Sequence, residues 1–244
     1  MNSGLRSDNL IRLQSLKKRY GALTVLDNVT FEISAGDFFA LLGPNGAGKT
    51  TIIRILLDFT RADSGEIFIN GVSSRLPEAR RGVGYLPENI SLPAYLSGRE
   101  YLIRHARLCD LGGKDAQVAV DRVLETVGMK ERQRSRCGTY SKGMMQRMGL
   151  AASLLGSPRL LILDEPTNGL DPIGIREFRL ILENLKGQGI TLFLNSHILS
   201  EVERICNTVA IMDKGVVLVK DQISSLLYEG ETLEDVFIRL INRR

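Results

Sequence analysis

The chain opens with segments that alternate apolar and polar positions, Leu10-Ile-Arg-Leu and then Val29-Thr-Phe-Glu-Ile. That period of two predicts half-buried strands. Phe38-Phe-Ala-Leu-Leu follows as an unbroken apolar run, which is how a strand covered on both faces reads. A glycine-rich stretch comes next, and then Thr51-Ile-Ile-Arg-Ile-Leu-Leu, an apolar helical stripe. Strand, glycine loop and helix in that order open a parallel α/β unit. From about residue 91 to 155 the texture becomes helical, with runs over Gly98–Leu108 and Asp115–Val127. Buried strands return at Leu160-Leu-Ile-Leu, Thr191-Leu-Phe-Leu and Val209-Ala-Ile-Met. The last twenty or so residues, through Glu231-Thr-Leu-Glu-Asp-Val-Phe-Ile-Arg-Leu, predict one amphipathic helix.

The expected organisation is an α/β core over 8–90 and 156–222 with a small antiparallel β subdomain at its N-terminal end. A helical subdomain is inserted at 91–155, and a helical tail occupies 223–244. Composition changes this picture little. The 244 residues are 43% hydrophobic and 25% charged, ordinary for a globular protein. The net charge of +4 is spread along the chain, and a nucleic-acid binder would more often carry a basic stripe, so no nucleic-acid partner is expected. The Lys17-Lys18-Arg19 run and the terminal Arg243–Arg244 read as solvated surface. No apolar run approaches membrane-spanning length and no charged-then-apolar leader opens the chain, so membrane association is expected to come through a partner. The three cysteines, Cys109, Cys137 and Cys206, are odd in number and widely spaced, and read as reduced packing residues.

Chemistry concentrates at two places. Gly43-Pro44-Asn45-Gly46-Ala47-Gly48-Lys49-Thr50 matches the phosphate-loop pattern G-x-x-x-x-G-K-[ST] at every fixed position. Gly43, Gly46 and Gly48 let the backbone turn its amides inward onto phosphate oxygens, and the helix that follows, through Thr51, adds its positive end. Lys49 brings a mobile charge to the terminal phosphates and Thr50 a hydroxyl for magnesium. The second place is Asp164-Glu165, at the end of the Leu160–Leu163 run, where open α/β sheets bind ligands. Asp164 is placed to hold magnesium, and Glu165 to orient and deprotonate an attacking water. These motifs alone imply a nucleotide with Mg2+ on a P-loop NTPase core.

With these motifs in place, the chain resembles the ATP-binding cassette (ABC) ATPases along nearly its whole length. Tyr140-Ser-Lys-Gly-Met-Met-Gln-Arg147 is similar to the family's signature, usually LSGGQxQR. Asn168-Gly-Leu-Asp-Pro172 resembles the D-loop, His197 the switch histidine, and Tyr20 the aromatic that stacks on adenine. Gly84-Tyr-Leu-Pro-Glu88 stands where the family has its glutamine loop. Ser141 is a good N-cap before the helix-forming run Met144–Leu155, so the helix tip would present a hydroxyl, free amides and a positive dipole end.

The resemblance implies that the nucleotide is ATP, on a RecA-like fold and in a site shared by two chains. Ser141, Lys142 and Gly143 of one copy would cover the ATP held by the phosphate loop of the other, in a head-to-tail dimer. Glu165, His197 and Lys49 would be the catalytic set. It implies integral membrane permease subunits as partners and a peripheral place on the cytoplasmic face of the cell membrane. Residues just past Glu88 (Ile90, Leu92, Pro93, Tyr95 and Leu96) would either grip that partner or pack within the helical subdomain. YSKGMMQR, GYLPE and the terminal TLEDVF resemble cassettes of ABC-2 type permeases, and Gly84 to Leu108 is similar to the cassette serving nitrous oxide reductase maturation.

Two places depart from the family pattern. Lys142 and Met144 replace the usual glycine and glutamine of the signature, and Glu88 replaces the glutamine expected near magnesium. A carboxylate still ligates magnesium but cannot donate a hydrogen bond when ionised. Rival readings are a soluble cassette acting on nucleic acid or ribosomes, which usually has two cassettes or a long coiled-coil insertion, and a non-hydrolysing ATP-dependent binding or scaffold module, against which Glu165 and His197 speak and for which Glu88 speaks. A GTPase is disfavoured because no NKxD guanine-reading segment is present.

Overall fold

A computed structural model describes residues 9–242. The elements in chain order are β1 (Asn9–Tyr20), β2 (Leu23–Ser34), β3 (Phe38–Leu42), α1 (Lys49–Leu56), β4 (Ser64–Ile69), β5 (Val72–Ser73) and β6 (Val83–Leu86). Then come α2 (Gly98–Leu108), α3 (Gly113–Thr126), α4 (Lys142–Leu154), β7 (Leu160–Asp164) and α5 (Pro172–Lys186). The chain finishes with β8 (Thr191–Asn195), α6 (Leu199–Ile205), β9 (Thr208–Asp213), β10 (Val216–Gln222), α7 (Ile223–Leu226) and α8 (Leu233–Ile241). Arg243–Arg244 and the expected core start at residue 8 lie outside the described residues.

The fold separates into two compact units. The first joins the chain up to Arg81 to the chain from Thr191 onward, and the second is Gly82–Ile190. In the first unit an antiparallel sheet runs in the order β2-β1-β4-β5. Its founding piece is the β1–β2 hairpin, closed by the pair Tyr20↔Leu23 across Gly21 and Ala22. Apolar positions of that hairpin turn to one side: Ile11, Leu13, Leu16, Val29, Phe31 and Ile33 are buried while their neighbours are largely exposed. Alternation of this kind is the reason the opening segment is legible as strand.

In the same unit β3 runs parallel to β8 on one side and β9 on the other, and β10 continues antiparallel from β9. All five residues of β3 are buried, as are all five of β8. Phe39 packs on Phe31 and Phe193, with ring centroids 5.4 and 5.3 Å away. Each fully buried side chain of this size stabilises the fold by about 1.5–3 kcal/mol, which makes β3 the anchor of the loop that follows it. α1 buries Ile52, Ile53, Ile55 and Leu56.

The second unit pairs β6 with β7 in parallel, Val83↔Leu160 through Leu86↔Leu163. Its helices α2, α3 and α4 pack on one another, and α4 also packs on β6. α2 starts on a full capping box between Ser97 and Glu100, and its limits are those its sequence predicts. Arg147 of α4 pairs with Glu177 of α5 at 3.4 Å.

Two expectations need correction, and one open alternative narrows. The terminal helix is not one long element: Gly230, in the left-handed region, separates α7 from α8, and α8 begins on a capping box of Thr232 and Asp235. Cys137 and Cys206 are buried, but Cys109 is exposed, because it caps the C-terminal end of α2 instead of lining its packed face. Among the apolar residues after Glu88, Leu92 and Leu96 are buried and Ile90 lies against Gly149 of α4, while Tyr95 is 72% exposed. Internal packing therefore accounts for most of that group. Among the described residues no helix is long and apolar enough to cross a membrane.

Candidate active site

The phosphate loop leaves β3 and enters α1, and its shape rests on contacts behind it. Gly48 is the N-cap of α1 at φ 103°, a conformation that side chains disfavour. A Cβ there would also meet Leu26 Cδ2 at 2.6 Å and the Val25 carbonyl at 2.8 Å. Gly43 is needed for a different reason, since a Cβ on it would lie 2.3 Å from the Met212 carbonyl of β9. Ala47 accepts a hydrogen bond from the Gly215 N–H at 3.1 Å, and Gly215 in turn accepts from the Asp27 N–H at 2.9 Å. The loop is thereby braced from β2 and from the β9–β10 turn.

Lys49 is 8% exposed, and its ammonium donates to the carbonyls of Gly43 (2.7 Å) and Pro44 (3.2 Å). The charge is held over the mouth of the loop that it would share with phosphate. Thr50 is exposed at the first turn of α1, whereas Thr51 is half-buried, and Asn45 and Gly46 form the exposed tip of the loop. Because β3 and β8 are parallel, the loop and His197, two residues past β8, leave the sheet from the same edge. His197 is exposed, and the preceding Ser196 hydroxyl accepts from the Ile198 N–H at 3.2 Å, tightening the turn. Tyr20 stands at the β1–β2 turn, 47% exposed, with the Lys18 ammonium 5.1 Å from its ring centre.

The second unit gathers the acids. β6 and β7 are parallel, so Glu88 and the Asp164-Glu165 pair also leave from one strand edge. Asp164, the last residue of β7, is 5% exposed. Glu165 steps out of the strand at φ 47°, a conformation that is uncommon outside glycine, and its carbonyl accepts from the Asn168 N–H at 3.1 Å. Strained backbone of this kind collects at functional sites. Asn168 Nδ2 donates to Glu88 Oε1 at 3.0 Å, and Gln146 Nε2 to the Glu88 carbonyl at 3.3 Å.

Ser141 is the N-cap of α4, its hydroxyl accepting from the Met144 N–H at 3.3 Å. Ser141 and Lys142 are exposed and Gly143 is half-buried. The Lys142 ammonium packs down on Gly169, where a Cβ would lie 2.3 Å from Nζ. Sequence reasoning gave no separate role to Asp171, whose carboxylate is the N-cap of α5 and accepts from the Gly174 N–H at 2.7 Å. Asp followed by proline at the first helical position is the available signal.

Thr50 at the start of α1 and Asp164 at the end of β7 are each oxygen donors of the kind magnesium accepts, which takes one or two protein oxygens and fills the rest of its shell with phosphate and water. Accordingly, no group of three or more acids, histidines or cysteines gathers into a metal cage among the described residues.

A glycine loop braced on parallel strands, with acids at the end of a second parallel pair, defines a phosphate-loop nucleotide hydrolase. Comparison with known proteins narrows the class. The ABC transporter family model matches residues 26–168. The chain is 42% identical over 212 residues to the bacitracin transport ATP-binding protein BcrA of Bacillus licheniformis, covering 86% of this chain and 68% of that one. It is 39% identical over 229 residues to the lantibiotic transport ATP-binding protein SrtF of Streptococcus pyogenes, covering 93% and 96%. A solved ATP binding subunit of an ABC transporter superposes with a TM-score of 0.82 at 31% identity, over 95% and 99% of the two chains. The chain belongs to the ABC transporter family, as the ATP-binding subunit that hydrolyses ATP in support of transport.

Proposed function

We propose that two copies of this chain close head to tail on two ATP molecules, each enclosed by the phosphate loop of one copy and the Ser141 helix tip of the other. The observation that carries the reading is the state of that tip: a capped helix start, exposed Ser141 and Lys142, and thirteen residues of α4 behind it. A helix start of this kind favours negative charge, and within its own chain Ser141 is used only to cap α4.

In this reading Gly43, Pro44, Asn45, Gly46, Ala47, Gly48, Lys49, Thr50 and Thr51 cradle the phosphates, and Tyr20 stacks on the adenine. Thr50, Asp164 and Glu88 are the magnesium-facing oxygens; the ion, when bound, neutralises charge on the terminal phosphates. Glu165 accepts a proton from the attacking water, and His197 contacts the phosphoryl group being transferred. Hydrolysis removes the link that holds the two copies together, and their parting drives the membrane partner. The helical subdomain at 91–155 is the part that carries the tip, between the core segments 8–90 and 156–222 and ahead of the tail at 223–244.

The partner is a separate integral membrane permease of the ABC-2 type, which places the chain on the cytoplasmic face of the cell membrane as a peripheral subunit. The names of the relatives, which speak of bacitracin and lantibiotic transport, support a transporter partnership. Pull-down of the tagged chain from detergent-solubilised membranes is expected to recover a polytopic protein that raises its ATP turnover. Recovery of ribosomes or of the chain alone would overturn the assignment.

A further inference from the structure

Asn168 stands between the two acids that follow β6 and β7. Its backbone N–H donates to the carbonyl of Glu165, closing the turn that leaves β7, and its side-chain amide donates to the carboxylate of Glu88. Glu88 is fixed from a second direction by Gln146, which is 2% exposed and gives its Nε2 to the Glu88 carbonyl. Next along the chain, Gly169 at φ 69° carries the ammonium of Lys142 against it. Both Glu88 and Lys142, departures from the family's usual pattern, therefore touch the same short stretch, Asn168 and Gly169.

We propose that Asn168 is a positioning residue for ATP hydrolysis: a donor bridge that holds Glu165 through its backbone and Glu88 through its side chain. The inference rests on Glu165 being the base. An ionised Glu88 can only accept, so position 168 must donate, and asparagine does so without adding charge beside two carboxylates. The bridge leaves Glu88 Oε2 outside the Asn168 bond. The loop 168–171 is thereby coupled to the acid that replaces the family's glutamine.

The test exchanges donor and acceptor. Asn168→Asp sets a second carboxylate against Glu88 and removes the donor, so kcat is expected to fall about tenfold or more with KM little changed, the size expected for losing a hydrogen bond to a charged group. In a Glu88→Gln background the donor moves to position 88, where the new amide can reach the carboxylate introduced at position 168. There the same Asn168→Asp substitution is expected to cost less than about threefold. Asn168→Asp lowering kcat by an equal factor in both backgrounds would overturn the bridge. Melting of the nucleotide-free chains reads the same coupling without turnover: Asn168→Asp should lower the melting temperature when Glu88 is intact and leave it unchanged in the Glu88→Gln background. A wild-type chain without ATPase activity would sink the hydrolysis reading, and the melting pair would then still decide the bridge, equal shifts in both backgrounds counting against it.

Discussion

The two halves of the proposed machinery, the phosphate loop of the first unit and the acid-bearing turns of the second, are built on different principles. In the phosphate loop the proposed roles lie within nine consecutive residues, Gly43 to Thr51, and are set mainly by backbone: left-handed Gly46 and Gly48, a braced loop and a helix start behind it. In the acid half the proposed roles are scattered over Glu88, Ser141–Gln146 and Glu165–Asp171, and side chains join them. A backbone device leaves little room for substitution, because a Cβ at Gly43 or Gly48 meets a carbonyl it cannot move cheaply. A side-chain device tolerates change in pairs, provided donor and acceptor remain matched. The first half fits its pattern at every fixed position, while the second carries Lys142, Met144 and Glu88.

The contrast is sharpest in kinetics. Lys49→Ala is expected to lower both nucleotide affinity and turnover, by about a hundredfold or more in kcat/KM, because its charge serves ground state and transition state alike. Glu165→Gln is expected to lose about 10²–10⁴ in kcat while ATP still binds, as removal of a general base does. Equilibrium binding of a fluorescent ATP analogue beside steady-state turnover separates the two. If Glu165→Gln lost binding as fully as Lys49→Ala, the division of labour between the halves would be wrong.

Stability should divide the halves in the other direction. Gly48→Ala imposes a left-handed alanine and a clash with Leu26 and Val25, an expected cost of about 1–3 kcal/mol. Calorimetry should show this as a melting temperature lower by about 2–4 °C for each kcal/mol in a chain of this size. Asn168→Ala keeps the backbone bond to Glu165 and loses the side-chain bond to Glu88 at a partly exposed position, so it should cost about 0.5–1.5 kcal/mol. The smallest effect concerns the start of α2. The Ser97 backbone N–H, and after it the Ser97 hydroxyl, hold the Glu100 carboxyl below its ordinary value. A depressed folded pKa contributes stability above the unfolded value, lost as pH falls through the folded one. Hydrogen exchange at the first turn of α2 should therefore lose protection on acidification in the wild type, and a Glu100→Gln chain should show a flat profile.

Much of this can be read along the chain, and the remainder has a common cause. β3, β7, β8 and the limits of α2 follow from apolar runs and caps that are local. β4 is obscured because Ser64-Gly65-Glu66 fills half of it and only Ile67 and Ile69 are buried. The tail reads as one helix because its apolar period runs on past Leu226, where α7 ends with Leu227 in an extended conformation, and left-handed Gly230 then lies in the turn before α8. The Asn168–Glu88 hydrogen bond spans eighty residues, and nothing at either position announces the other. Lys142 reads as charge for the nucleotide, yet in this structure its head rests on Gly169, a contact that only the fold creates.

The shared site is tested most directly by the molecular mass of two variants in saturating ATP and magnesium, measured by sedimentation. Glu165→Gln, slow to hydrolyse, is predicted to run as a dimer, and Glu165→Gln with Ser141→Arg as a monomer that still binds ATP. Equal dimerisation of both, or a Glu165→Gln chain that stays monomeric with ATP bound, would contradict a nucleotide closed between two copies.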